Sequence, residues 1–307
     1  MRNRHLVTIV LSLGLSLLPG ALHAQVPDSL VSVADITLRY QVVPNITYLT
    51  ANNFDAKLDV YTVRGATAPV PTLIYIHGGG WTGGSKEGSS LTFLPFLQMG
   101  WNVVNVEYRL ARVSMAPAAV EDCLCALRWV YRNAKQYNFD LNKLVVTGNS
   151  AGGHLALTTG MVPVSAGLDR QCPGTEALRV AAVINWYGIT DVVDLLDGPN
   201  MKTYAVQWLG SLPGREEIAR RASPLTYVRA GGPPVLTIHG DADPVVPYTH
   251  ATRLKQALDK SAVSNELVTI PNGRHGGFNR QETLMIYGTI RRFLTQHGLT
   301  AADTSSR

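Results

Sequence analysis

Short β-rich apolar runs alternate with helix-length segments along most of this 307-residue chain, and that rhythm restricts the fold more than any other feature. Strand-like stretches fall near Ile36–Val43, Lys57–Val63, Thr72–Ile76, Asn102–Glu107, Lys143–Thr147, Val180–Trp186, Pro234–His239 and Glu266–Ile270. Helical patterns cover Leu91–Met99, Ala118–Tyr137, Ala151–Met161, Thr249–Lys260 and Glu282–His297. Parallel neighbours need a crossover, and a helix is the usual one. The pattern therefore predicts an α/β fold with a mostly parallel central sheet and helices on both faces. Two strands in succession at the start suit an antiparallel entry into a mixed sheet. Residues 188–232 break the rhythm with several Pro and Gly, short apolar patches and no clear strand. That stretch is too long for a simple connection and reads as a small helical cap inserted over the carboxyl edge of the sheet.

With 46% hydrophobic and 16% charged residues, the chain can fill one large core and is not a disordered polymer. The formal charge of +5 comes without a run of clustered Lys and Arg, so nucleic acid is not an expected partner. Arg2 and Arg4 precede an apolar run from Leu6 to Leu18, and Ala21-Leu22-His23-Ala24 follows. This predicts a signal peptide over residues 1–24, cleaved after Ala24, and export to the periplasm or beyond. The run is too short for a confident membrane span, so stable insertion after cleavage is not expected, and an uncleaved lipid-embedded anchor is the alternative. Residues 25–307 read as one domain.

Export permits one disulfide among Cys123, Cys125 and Cys172. On the helix predicted over Ala118–Tyr137, Cys125 shares a face with Glu121, Arg128 and Arg132, which reads as solvent-exposed. Cys123 falls with Ala119, Ala126 and Val130 on a face that reads as partly buried. An exposed thiol is the better candidate for pairing, which favours Cys125–Cys172 over the neighbouring Cys123–Cys172. The spacing is not that of a zinc site.

Gly148-Asn149-Ser150-Ala151-Gly152 has the pattern Gly-x-Ser-x-Gly and sits between a predicted strand and a predicted helix. Alone the pattern is weak. In that context it matches a nucleophile elbow, a turn so sharp that flanking positions must lack side chains. His77-Gly78-Gly79-Gly80-Trp81 follows another strand. Its glycines can bring the N–H groups of Gly79 and Gly80 to a developing oxyanion, with that of Ala151 as a third donor. His77 reads as a brace for this loop, and Trp81 as packing beneath it or lining the pocket. The loop lacks the spacing of a phosphate-binding motif. After the strand ending at His239 come Asp241 and Asp243. The turn carries Asp243 clear of the strand, so Asp243 is the favoured acid and Asp241 a turn brace. Of the eight histidines, His275 alone lies in a glycine-rich loop after the last strand, where a general base must hang. His154, four residues after Ser150, reads as packed or solvent-bonded.

His-Gly-Gly-Gly-Trp, Gly-x-Ser-Ala-Gly-Gly and Tyr108-Arg109-Leu110-Ala111 resemble those of hormone-sensitive-lipase-like esterases. Leu58-Asp59-Val60-Tyr61 and Ser223-Pro224-Leu225 bring the chain closer to the bifunctional feruloyl and acetyl-xylan esterases, the BD-FAE-like group. The resemblance spans about residues 45–295. It departs at Asn149, where many relatives carry an acid, and at Arg112, where the tyrosine-arginine motif usually continues to proline. It implies the α/β-hydrolase fold, the triad Ser150, Asp243 and His275, and oxyanion donors Gly79, Gly80 and Ala151. The expected chemistry is hydrolysis of short or aromatic acyl esters, small or polysaccharide-linked, with no metal or cofactor required. Tyr187, Tyr204 and Trp208, with Trp81, could offer flat faces to such a substrate or equally be ordinary packing, the commoner fate of a Trp or Tyr. A peptidase or amidase on the same fold is the near alternative, and a non-catalytic hydrolase-like binding module the distant one.

Overall fold

The computed structural model describes residues 28–211 and 213–301. The expected signal peptide lies outside the described residues. Eight strands build one sheet: β1 (Tyr40–Ala51), β2 (Phe54–Val63), β3 (Val70–Ile76), β4 (Asn102–Val106), β5 (Phe139–Asn149), β6 (Ala182–Trp186), β7 (Val235–Gly240) and β8 (Asn265–Ile270). Their order is β1-β2-β4-β3-β5-β6-β7-β8. β1 pairs with β2, and β2 with β4, antiparallel, whereas every pairing from β4 to β8 is parallel. The helices are α1 (Asp28–Arg39), α2 (Leu94–Gln98), α3 (Ala118–Arg132), α4 (Ala134–Tyr137), α5 (Ala151–Met161), α6 (Thr203–Leu209), α7 (Arg215–Ala222), α8 (Thr249–Lys260) and α9 (Arg280–Gln296).

Both faces of the sheet are covered. Ile74, Val104, Val146 and Val183 point to one side, into a core shared with α3, α5 and α8. Their sequence neighbours Leu73, Val103, Val145 and Ile184 point to the other, against Phe96 of α2 and Ile286, Ile290 and Phe293 of α9. The period-2 alternation of a strand thus feeds two cores, which is why the central strands are continuously apolar. Full burial of one such Leu or Val contributes roughly 1.5–3 kcal/mol.

Three element assignments are corrected. The strand expected over Ile36–Val43 begins only at Tyr40, and the residues before it are helical. Tyr40 pairs with Val63, the last residue of β2, so anything upstream has no strand to bond. The helix expected at Leu91 starts at Leu94, with Pro95 in its first turn where the missing N–H costs nothing. The long helix over Ala118–Tyr137 is interrupted at Asn133, whose side chain bonds back to the Trp129 carbonyl at 2.8 Å.

Cys125 and Cys172 form the disulfide, and Cys123 is free and buried. The pairing agrees with the sequence reading, but its reason does not. Cys125 is as buried as Cys123, and Arg128 on the same face is fully enclosed. The segment around Cys172 covers that face, and Arg128 pairs with Asp169 and Glu176 from it. A charge in a sequence marks a face as wet only when no other charge arrives to meet it.

Candidate active site

The carboxyl ends of β3, β5, β6, β7 and β8 come level. Ile76 pairs with Gly148, Asn149 with Trp186, Trp186 with Ile238, and Gly240 with Ile270. Immediately past β5 the chain turns at Ser150, which has φ 57° and ψ −121°, and enters α5. A side chain at Gly148 would meet the Ile76 carbonyl at 2.4 Å, and one at Gly152 the same oxygen at 2.1 Å. Only glycine lets the turn close so tightly against β3. Strain of this kind persists where surrounding structure over-determines it.

The turn after β7 and the loop after β8 bring the acid and the histidine to this serine. His275 Nε2 lies 2.8 Å from Ser150 Oγ, and His275 Nδ1 lies 2.7 Å from Asp243 Oδ2. The two loops are packed backbone to backbone. A substituent on Gly240 would overlap the Gly273 carbonyl at 2.2 Å, and Ala242 N donates to that carbonyl at 3.0 Å. Asp241 accepts from Asn272 N at 2.6 Å, so its side chain braces the histidine loop and not its own turn, where the sequence reading had put it. The Asp243 side chain is enclosed, while 20% of the His275 side chain stays exposed. Burial alone would raise the Asp243 carboxyl. Hydrogen bonds from His239 and His275, the His275 charge and the Val245 N–H together hold it well below the usual carboxylate range.

The His77–Trp81 loop runs past the serine. Gly79 has φ 116° and Gly80 φ 60°, conformations that suit glycine. A side chain at Gly79 would overlap the Gly83 carbonyl at 2.2 Å, and one at Gly80 would touch the Tyr204 side chain of α6 at 3.0–3.4 Å. Ala151 opens α5, whose first N–H groups have no partner within the helix. His77 braces the loop: Nδ1 donates to the Gly78 carbonyl at 2.8 Å, and the ring stacks on Tyr108 at 4.2 Å. His154 is packed and dry, accepting from Trp81 Nε1 at 3.2 Å and donating to the Ala222 carbonyl at 2.7 Å. Burial lowers its pKa to about 4.

Trp81 and Trp208 do not face the cleft. Both are fully buried and stack on each other at 4.1 Å, tying α6 to the glycine loop. Tyr204 and Tyr187 are partly exposed, and the Tyr187 ring lies 4.7 Å from that of His275.

Four supporting residues escaped the sequence reading. Lys86 is buried, with Nζ 2.9 Å from Asp59 and 2.6 Å from Glu87. Its backbone N donates to Glu107 at 2.8 Å, which anchors the return of the glycine loop. Asp59 belongs to the Leu-Asp-Val-Tyr motif, and a charge inside a β-rich run was the signal available. Asn149 accepts from Tyr75 at 3.2 Å, and His239 reaches Asp243 at 3.2 Å.

A doubly wound sheet with a serine elbow after β5, an acid after β7 and a histidine after β8 is the α/β-hydrolase fold. The chain belongs to the BD-FAE family, whose model matches residues 58–258, and a model described as TAP-like protein matches residues 214–306. Esterase LipQ of Mycobacterium tuberculosis is 30% identical over 67% of this chain and 50% of its own length. The probable carboxylic ester hydrolase LipM of the same organism is 32% identical over 66% of this chain and 48% of its own. The chain thus spans about half the length of the curated relatives it matches. The thermophilic esterase of Thermogutta terrifontis superposes with TM-score 0.70 at 27% identity, covering 87% of this chain and 95% of that one. Structures of that esterase hold butyrate or propionate, and another is phosphonylated by sarin.

Proposed function

We propose that this protein is an exported serine carboxylesterase acting on short-chain or aromatic acyl esters, including acetyl or feruloyl groups on plant polysaccharide. The observation that carries the reading is the hydrogen-bonded chain from Ser150 through His275 to Asp243, at 2.8 and 2.7 Å. With Nδ1–H committed to Asp243, the neutral imidazole leaves Nε2 free to accept the serine proton. Ser150 Oγ attacks the ester carbonyl as His275 takes its proton. The N–H groups of Gly79, Gly80 and Ala151 stabilise the oxyanion. His275 then returns the proton to the departing alcohol. Water repeats the sequence on the acyl-enzyme and releases the acid. Asp243 orients the imidazole and balances its charge without taking the proton.

The short-acyl preference draws on the Thermogutta terrifontis esterase, which has been seen with butyrate and propionate. Export rests on the sequence of residues 1–24, and the helical stretch around α6 and α7 is read as the cap of a single catalytic domain over 25–307. A fluorophosphonate probe should label Ser150, and a panel of esters should show acetate and butyrate turned over well and acyl chains of twelve carbons or more poorly. Release of acetate from acetylated xylan, or of ferulate from its methyl ester, would support the carbohydrate version. Efficient cleavage of long-chain triglyceride with poor short-ester activity would overturn the substrate class.

A further inference from the structure

The carboxylate of Asp243 serves two histidines. Oδ1 accepts from Val245 N at 2.8 Å and Val246 N at 3.0 Å. Oδ2 accepts from His275 Nδ1 at 2.7 Å and lies 3.2 Å from Nε2 of His239, the penultimate residue of β7. His239 is fully buried, and its Nε2 also lies 3.0 Å from the Val246 carbonyl. Both oxygens near Nε2 are acceptors, so that nitrogen must carry the proton. Nδ1 is enclosed and has no hydrogen-bond partner among the described residues. A proton there would be an unsatisfied buried donor, which selects the neutral Nε2–H tautomer.

We infer that His239 is a positioning residue for the triad: its Nε2–H holds Asp243 Oδ2 toward His275 and takes up part of the carboxylate charge. This rests on the esterase reading above. Two backbone N–H groups fix only Oδ1, and the carboxylate can still pivot about that end. A second donor at Oδ2 closes the pivot. It also weakens the pull of the carboxylate on the imidazolium form of His275, keeping that imidazole available as a base at a lower pH. The other titratable groups around His239 are Tyr187 after β6, Tyr248 before α8 and His250 within α8. None of the three donates to Asp243 among the described hydrogen bonds.

The test is kinetic, on the full chain with p-nitrophenyl butyrate. His239→Phe keeps the packing and removes the donor. It should lower kcat about 10- to 100-fold, as for one lost hydrogen bond to a charge, with KM little changed. The acid limb of kcat/KM should move to higher pH. In an Asp243→Ala background the same substitution should have no further effect, because its action runs through that carboxylate. His239→Gln, which can place an N–H near the ε position, should recover most of the loss, and His239→Asn should not. An active wild type whose His239→Phe variant keeps its kcat and pH profile overturns the inference alone. So does a loss that persists undiminished beside Asp243→Ala. A wild type that neither hydrolyses the ester nor is labelled at Ser150 overturns the esterase reading with it. Should the variants not fold, nitrogen NMR of wild-type histidines decides: an Nε2–H tautomer at His239 supports the assignment, and an Nδ1–H tautomer overturns it.

Discussion

The loops carrying the acid and the histidine are held differently from α6, which packs against the acid loop and the glycine loop. In the loops, polar atoms do the holding: Asp243 receives two backbone N–H groups and two imidazoles, and Asp241 ties the turn to the histidine loop. The aromatic stack of Trp81 on Trp208 holds α6 to the glycine loop, and hydrogen bonds to the acid loop are few, from Tyr204 to the Val245 carbonyl at 3.2 Å and from Lys202 to the Pro244 carbonyl at 3.0 Å. Directional bonds fix a carboxylate to a fraction of an ångström, which proton transfer requires. Apolar stacking fixes a surface without fixing an atom. Polar substitutions should therefore damage turnover more than stability, and aromatic substitutions should do the reverse.

The largest effects expected are in the polar loops. Ser150→Ala, His275→Ala and Asp243→Asn should each cost on the order of 10⁴ or more in kcat. Urea midpoints of the Ser150 and His275 variants should stay near the wild type, whereas Asp243→Asn should also lower the midpoint, because the enclosed carboxylate and its hydrogen bonds stabilise the fold at neutral pH. A variant of Asp241 more damaging than Asp243→Asn would break the comparison, since it would move the acid to the other carboxylate. Next comes the aromatic stack. Trp208→Ala empties a fully enclosed site and should cost roughly 3–5 kcal/mol in urea unfolding. Labelling of Ser150 should continue at temperatures where the variant remains folded. Loss of labelling in a folded Trp208→Ala protein would show that the stack also sets the chemistry.

Acid should reach the packing before it reaches the triad carboxylate. Burial lowers His154 to about 4, and burial with the nearby Arg253 lowers His250 to about 3. Both folded values lie below the unfolded value of about 6.5, so the unfolded chain binds protons first. Stability is then complete above about pH 6.5 and falls as pH drops toward the folded values. For His154 the loss between about pH 7 and about pH 5 is on the order of 2 kcal/mol. Urea midpoints across that range should show it, and His154→Gln should flatten the slope. The smallest effect is assigned to Asp241→Asn. An asparagine keeps the oxygen that accepts from Asn272 N, so kcat should change by less than about tenfold. A larger change would mean that the charge of Asp241, and not its bond, matters to the histidine loop.

How much of this was legible in the sequence depends on whether the constraint is local. The serine elbow was, because a strand, two glycines around a serine and a helix in direct succession leave one geometry for the turn. The order of acid and histidine came with the same motif, whose partners follow the serine along the chain as acid and then histidine, each in a turn that follows a strand. The first strand was misread because β-branched residues state a preference, while pairing needs a partner that ends at Val63. Trp208 and Trp81 stayed open between a substrate face and ordinary packing in the sequence because a flat ring serves a ligand and a core equally well.

The sequence by itself determined the parallel sheet, the doubly covered core and which side chains sit at its carboxyl edge, since periodicity and chain order are properties of neighbouring residues. Only the tertiary structure decided which charges are buried and which groups share a partner. Lys86 meets Asp59 across 27 positions, and Arg128 meets Asp169 and Glu176 across 41 and 48. His239 lies four residues from Asp243, yet the turn between them had to close before one oxygen could accept from two imidazoles. Burial and hydrogen bonding are set by what arrives from elsewhere in the chain, and local pattern carries no record of it.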